Sequence, residues 1–471
     1  MCLLQTAVLH KQTAIAQLTA QRLKAHHGHC MESVLSNGSS SPVSGLVYPT
    51  CRPCSGNLVD LIASPARQRA LRLEVAPGLQ SLTLTERQLC DIELLMSGGF
   101  SPLNKFMTQD VYERVVNDMR LGPQYDDNVF PMPITLDVSD KEAAGLAPGT
   151  QLALRDPFFN LVAILTVEDK YQPNKADEAL KVFRTQDQSH PAVDYLMNSA
   201  GSWYIGGSIE GVRLPQHFDF NEDRLTPRMV RRLVASRGWS TFVAFQTRNP
   251  MHRAHIELTR LAAEEIDAGV LIHPVVGMTK PGDVDYAVRV RCYRAIVASG
   301  RYYKPGRVLL ALLPLAMRMA GPREALWHAI IRKNHGATHF VVGRDHAGCK
   351  SATNEDFYGA YDAQNLVKTH EKEIGISILE FKKIAYIPRL DKYLPENQVA
   401  KGEKTTSISG TQFRAMMASG EEIPAWFSDP DVIKILREVS PPKNKRGFAI
   451  LFTGLSGGGK TTISHALIKR L

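Results

Sequence analysis

The chain has 471 residues, 44% hydrophobic and 22% charged, the make-up of a globular protein long enough for two to four domains. Its formal charge is +9, but residues 1–59 carry a net +3 and residues 441–471 a net +6, so the body between them is neutral and nucleic acid is not an expected partner. No apolar run approaches the ~20 residues of a membrane helix, and seven scattered cysteines suit a reducing compartment, here expected to be the cytoplasm, better than a disulfide framework.

Residues 1–55 read as a flexible lead, rich in Ser, Gly and Pro toward its end. "HHGHC" (26–30) and "CRPC" (51–54) contain only one close cysteine pair and are read as no metal site. The first 30 residues lack both acids and a proper apolar h-region, which argues against a secretory signal. An organellar targeting segment and a start at Met31 both stay open. Over 56–220, "FPMPITLDV", "QLALRD" and "NLVAILTVEDKY", separated by turns such as "APGT", predict a compact β-rich domain with short helices.

From 221 to 440 the pattern changes. "TFVAF" (241–245), "VLIHPVVG" (270–277), "VLLALLP" (308–314) and "HFVVG" (339–343) predict strands, and amphipathic stretches around 252–266, 285–299 and 322–335 predict helices between them. This alternation is that of an α/β fold with a doubly wound parallel sheet, whose ligands gather at the carboxyl ends of the strands. A small C-terminal lobe is expected from about 390.

After "TFVAF" comes "QTRNPMHRAH", Gln246 to His255. Pro250 suits the first turn of a helix expected from Met251 through Glu265, and His252 and His255, three apart, share a face of that turn. Helix-terminal N–H groups, two imidazoles, Arg248 and the amides of Gln246 and Asn249 make a dense site for phosphate or sulfate. "MTKPGD" brings Lys280 to the same edge of the sheet, and "RDHAG" brings Arg344 and His346, with small Ala347 and Gly348 allowing close approach of backbone N–H groups to an anion.

Near the end, Gly454, Leu455, Ser456, Gly457, Gly458, Gly459, Lys460 and Thr461 fit G-x-x-x-x-G-K-[ST], the phosphate-cradling P-loop. The apolar run "GFAILFT" before them is the expected strand and the residues after them the expected helix. A P-loop kinase needs more strands than residues 441–471 supply, and such a piece buries no core of its own. It is expected to be a fragment of a longer chain, the alternative being the vestige of a lost kinase, and to bind nucleotide weakly or not at all.

"FQTRNPMHRAH", "GMTKPGD", "LPLAMRMAGPREALWHAIIRKN", "GRDHAG", "FYGAYDAQ" and "SISGTQFR", with "LLMSGGFSPLNKFM" (94–107), closely resemble the ATP sulfurylase (sulfate adenylyltransferase) family over about 56–440. The tail from 441 resembles the start of adenylyl-sulfate kinase, so the order is that of bifunctional enzymes making activated sulfate. The resemblance implies a PUA-like domain over 56–220, then a Rossmann-like HxxH nucleotidyltransferase domain over 221–440. It implies that Gln246, Arg248 and the backbone at Ala347 hold sulfate, and that Thr247, Arg248 and Asn249 form the reactive centre. His252 and His255 would face the ATP phosphates. Gly343, Arg344, Asp345 and His346 would line the nucleotide pocket, with Ile384 near the adenine. Two departures stand out: Lys105 replaces the family's usual Gly, and "HAGCKSATNEDFYG" lacks the usual Pro-Gly.

The implied reaction joins ATP and sulfate into adenosine 5′-phosphosulfate and pyrophosphate by direct in-line transfer. Sulfate is already a dianion, so no general base is required, and no activated Ser or Cys is evident. Mg²⁺ is expected to arrive with ATP, because no carboxylate cluster suggests a protein metal cage. A homo-oligomer is expected. Two rivals are a kinase with residues 56–440 as a regulatory nucleotide-binding module, and an HxxH transferase that takes a phosphorylated acceptor.

Overall fold

The computed structural model describes residues 56–380, 384–442, 445–447 and 449–470, so the "HHGHC" and "CRPC" readings and the leader segment lie outside the described residues. Strands β1 (Gln80–Thr83), β2 (Lys105–Phe106), β3 (Leu136–Val138), β4 (Gln151–Arg155), β5 (Leu161–Tyr171) and β6 (Trp203–Gly211) form one sheet in the order β1-β4-β5-β6-β2, with β3 also on β6. Only the β1–β4 pair is parallel. The three predicted strand stretches became β3, β4 and β5, whereas β1 and β6 were not anticipated, since "QSLT" and the glycine-bearing "WYIGGSIEG" carry a weak strand pattern.

The core of this sheet continues into the second half of the chain. Ile92, Leu95, Phe100 and Phe106 share one buried cluster with Leu313, Trp327 and Ile331. Gly98, at φ 86°, ends the Glu86–Ser97 helix in the left-handed region, and its missing Cβ would meet the Val59 carbonyl oxygen at 2.4 Å. Beside it, Asn334 Nδ2 donates to the carbonyls of Gly99 (3.0 Å) and Ser101 (2.9 Å). The "LLMSGGFSPLNKFM" stretch is therefore the joint between the two sheets.

Strands β7 (Phe242–Thr247), β8 (Gly269–Pro274), β9 (Val308–Leu310), β10 (His339–Val342) and β11 (Ser377–Glu380) form a parallel sheet in the order β11-β10-β7-β8-β9. Side chains alternate between its faces with the period of two that a pleated strand imposes. Val243, Phe245, Val270, Ile272 and Val341 pack with the Arg253–Glu265 and Tyr286–Ala298 helices. Phe242, Ala244, Leu271, Phe340 and Val342 pack on the opposite side, with the Pro227–Ser236, Pro322–Asn334 and Asp362–Ile374 helices. The sheet is doubly wound, as the alternating pattern predicts. Of "VLLALLP", Val308–Leu310 form β9 and Leu313 still pairs with Val275 in the same register, whereas β11 was missed because "SILE" is a short edge strand.

From 384 onward, β12 (Ile384–Ile387) pairs antiparallel with β13 (Lys392–Pro395), and the Gly410–Ser419 and Pro430–Val439 helices follow. Met417, Val432, Ile433 and Leu436 are buried in the same cluster as Ile256 and Tyr293. This segment thus packs onto the face of the sheet carrying the "HRAH" helix. The strand expected at "GFAILFT" is absent among its described residues: Ile450 and Leu451 are 50% and 86% exposed with no ladder. An isolated strand leaves its N–H and C=O groups without partners, so extended structure needs a neighbouring strand. The helix expected after the loop does form, over Lys460–Ile468.

Candidate active site

Strand order reverses between β7 and β10, which are neighbours although β8 and β9 intervene in sequence. The carboxyl ends of these two strands carry "QTRNPMHRAH" and "GRDHAG", at the position where doubly wound sheets bind ligands. A cleft of about 1150 Å³ opens there, lined among others by Arg248, Lys280, Arg318, Arg344, His346 and Lys350.

The turn after β7 is held by its own polar atoms. Thr247 Oγ1 donates to the Asn249 carbonyl (3.0 Å) and accepts from the Asn249 N–H (3.2 Å), while the buried Tyr293 hydroxyl donates to the same carbonyl (2.8 Å). The helix starts at Arg253 rather than Met251, because His252 keeps an extended conformation (φ −93°, ψ 171°) as its N-cap. Its backbone N–H donates to His255 Nδ1 at 3.3 Å. That bond consumes the His255 Nδ1 lone pair, so the neutral ring carries its proton on Nε2 and is a donor there. The His255 ring is held neutral by burial, which lowers its pKa.

His252 is gripped by distant segments. Its ring stacks on Phe427 (4.8 Å between centroids, 29°), meets Phe413 edge-on at 4.8 Å, and places Nδ1 3.0 Å from Ser428 Oγ. Burial, assisted by neighbouring His255, lowers its pKa to about 3. Both imidazoles are therefore uncharged hydrogen-bonding groups at neutral pH.

Arg248 Nη1 donates to both carboxylate oxygens of Asp283, at 2.6 and 2.5 Å. Asp283 closes the loop that carries Lys280, so this pair ties the 278–283 loop to the turn after β7. Asp283 was missed in the sequence, although it is the lone acid in the quoted "MTKPGD". In "GRDHAG", Asp345 and Ala347 both sit at φ 54°, and Gly348 N–H closes the turn onto the Asp345 carbonyl at 3.1 Å. Asp345 pairs with Arg344 and Asp356 with Lys350. The Cys349 thiol, also on the cleft wall, is pushed up to about 12 by burial and stays protonated.

Of the residues singled out in the sequence, Arg248, Lys280, Arg344, Asp345, His346 and Gly348 line the cleft together. Gln246 lies beside it, 3.7 Å from the cleft-lining Met317 sulfur. Thr247, Asn249, His252 and His255 shape the adjoining turn and helix start. Gly343 follows β10, Ala347 accepts the Gly321 N–H at 3.1 Å, and Ile384 opens β12; none of these three is a lining residue. Lys105 forms an ion pair with Glu168 (2.6 Å) on the first sheet, away from the cleft, whereas the departing "CKSATNED" loop forms part of its rim. The P-loop residues lie apart: Gly454, Gly457 and Gly459 have positive φ, and Lys460 Nζ donates to the carbonyls of Gly454 (2.9 Å) and Leu455 (2.5 Å).

Comparison with known proteins agrees with this geometry. Residues 221–439 match the ATP-sulfurylase family and residues 51–214 a PUA-like domain family. Sulfate adenylyltransferase from Emericella nidulans is 53% identical over 421 residues, covering 88% of this chain and 72% of that protein. The Neurospora crassa protein of the same name is 52% identical over 420 residues, with the same coverage. A solved structure described as a hexameric APS kinase from Thiobacillus denitrificans superposes with a TM-score of 0.73 at 33% identity, covering 89% of this chain and 75% of that one. No described helix is long and apolar enough to cross a membrane. Identity of this order across both domains, with the "QTRNPMHRAH" and "GRDHAG" loops at the switch point of the sheet, places the chain in the ATP-sulfurylase family.

Proposed function

We propose that this chain is a sulfate adenylyltransferase, converting ATP and sulfate into adenosine 5′-phosphosulfate and pyrophosphate. The observation that carries the reading is the meeting of Arg248, Lys280, Arg344 and His346 in one cleft, in a chain 50–53% identical to proteins of that activity.

A sulfate oxygen attacks the α-phosphorus and pyrophosphate departs from the opposite side. The obstacle is the meeting of two anions while charge grows on the equatorial and leaving oxygens, and fixed donors aimed at those oxygens lower it. Gln246, Arg248 and the backbone at Ala347 hold sulfate; a guanidinium fork suits a tetrahedral oxyanion. With Nη1 of Arg248 committed to Asp283, its other nitrogens are left for the ligand. Thr247, Arg248 and Asn249 form the reactive turn. His255 Nε2–H and the neutral His252 ring donate to the α- and β-phosphates, and Gly343, Arg344, Asp345, His346 and Ile384 border the nucleotide. Mg²⁺ enters with ATP as part of the substrate: Asp283, Asp345 and Asp356 are each engaged by a basic side chain, and the phosphates supply its oxygen ligands.

We also read residues 441–471 as the start of an adenylyl-sulfate kinase, on the P-loop pattern and the left-handed glycines at its turns, and take the enzyme to be a cytoplasmic homo-oligomer. Product analysis with ATP, Mg²⁺, labelled sulfate and pyrophosphatase tests the whole reading. Labelled adenylyl sulfate alone is expected. Its 3′-phosphorylated form would restore the kinase reading, and absence of both products would refute the transferase.

A further inference from the structure

His346 on the cleft wall is the outer end of a line of buried ionisable groups reaching into the Pro322–Asn334 helix. Its Nε2 lies 3.0 Å from Nδ1 of His328. His328, fully buried, places its other nitrogen 3.4 Å from Oε1 of Glu324, one helical turn earlier. Glu324 is also fully buried, and its two oxygens accept the backbone N–H groups of Arg318 and Ala320, each at 2.9 Å. A carboxylate accepting two backbone N–H groups and facing an imidazole is held in its charged form. Burial opposes this, but His328 and the two backbone donors facing it leave its pKa lowered, while burial lowers the His328 pKa and keeps that ring neutral.

The direction of every proton in the line follows from that charge. His328 Nε2 makes no hydrogen bond of ordinary geometry, and the charged group facing it is the Glu324 carboxylate, with Oε1 3.4 Å away. A lone pair pointed at a carboxylate is repelled, so His328 carries its proton on Nε2 and exposes a lone pair at Nδ1. His346 must then donate from Nε2, which leaves its own Nδ1 as a bare lone pair on a residue that lines the cleft. His346 also stays uncharged: burial, then His328, Arg332 and Arg248, lower its pKa well below the usual value.

We propose that Glu324 and His328 are positioning residues that fix His346 as a hydrogen-bond acceptor at the cleft wall. There it meets an N–H or O–H of the nucleoside moiety and turns away from the phosphates and sulfate, which offer only acceptors. This inference rests on the transferase reading. It assigns a function to the His of "LWHAIIRKN", which the reaction itself leaves unused, and it makes one residue of a cleft rich in basic side chains selective for the uncharged half of ATP.

The test is kinetic, on the full chain. His328→Gln removes the imposed proton order at nearly constant volume. The KM for ATP is expected to rise about 3- to 10-fold, the worth of one net hydrogen bond, with the KM for sulfate unchanged. The rise should vanish for the one ATP analogue lacking the donor concerned, 2′-deoxy, 3′-deoxy or without the exocyclic amino group, which also identifies that donor. An unchanged KM for ATP, or equal rises for both substrates, would overturn the proposal. If His328→Gln does not fold, imidazole ¹⁵N NMR of the wild-type chain decides, with His346→Gln giving the assignment. A proton on Nε2 of His346 supports the proposal and one on Nδ1 overturns it. A wild-type chain that forms no adenylyl sulfate defeats the transferase reading instead, a separate result.

Discussion

His252 offers a prediction worked directly from its surroundings. Stacked on Phe427 with Phe413 edge-on, it stays neutral in the fold down to about pH 3, whereas in the unfolded chain an imidazole takes its proton at about pH 6.5. Its folded pKa is depressed, so the unfolded state binds more protons below about pH 6.5, and stability falls as pH falls. Linkage gives a loss of about 1.4 kcal/mol between pH 7.5 and 5.5, rising to about 2.7 kcal/mol at pH 4.5. Other groups titrate over the same range; burial raises the Glu178 carboxyl, for example, which acts with the opposite sign. A His252→Phe variant keeps an aromatic ring between Phe413 and Phe427 and removes only this titration, so the difference between the two proteins cancels the rest. Denaturant unfolding followed by tryptophan fluorescence at the two pH values is the assay. The wild type should lose about 1.4 kcal/mol more than His252→Phe on going to pH 5.5. Equal losses would show that His252 is protonated in the folded protein, refuting both its burial and its role as a neutral donor.

His255→Ala should lower kcat by roughly 10²–10³, the usual cost of a removed transition-state donor, measured as pyrophosphate release; near-normal turnover would remove it from the reaction. Asp283→Asn keeps a hydrogen-bonding oxygen for Arg248 but removes the charge, and should raise the KM for sulfate more than that for ATP; equal changes would show a general effect on the cleft. Arg248→Lys should be poorly tolerated, because a point charge does not reproduce a fork, as judged by kcat/KM for sulfate. Ending the chain after Gly447 removes a segment whose Ile450, Leu451 and Leu455 are exposed, so adenylyl transfer should be unaffected; loss of activity would mean that this segment supports the cleft.

The amino-acid order determined the parallel sheet because its strands announce themselves locally. "TFVAF", "VLIHPVVG" and "HFVVG" are apolar on both faces, as a sheet covered by helices on both sides requires. The loops lining the cleft were legible for the same reason, since "QTRNPMHRAH" concentrates its polar residues within ten positions of one strand end. Where local pattern was thin, structure decided: "SILE" became a strand only because β10 offered a free edge, and "GFAILFT" did not, having no edge to join.

Nothing local to "HRAH" reveals that Phe413, Phe427 and Ser428, more than 150 residues on, enclose His252 and keep it uncharged. Nor does "GRDHAG" show that the proton of His346 is directed through His328 by Glu324. Residue types set which chemistry is available, and they are written in the chain. Protonation state and aim depend on burial and on partners from distant segments, because desolvation and short-range electrostatics act through space. Only the tertiary structure supplies those.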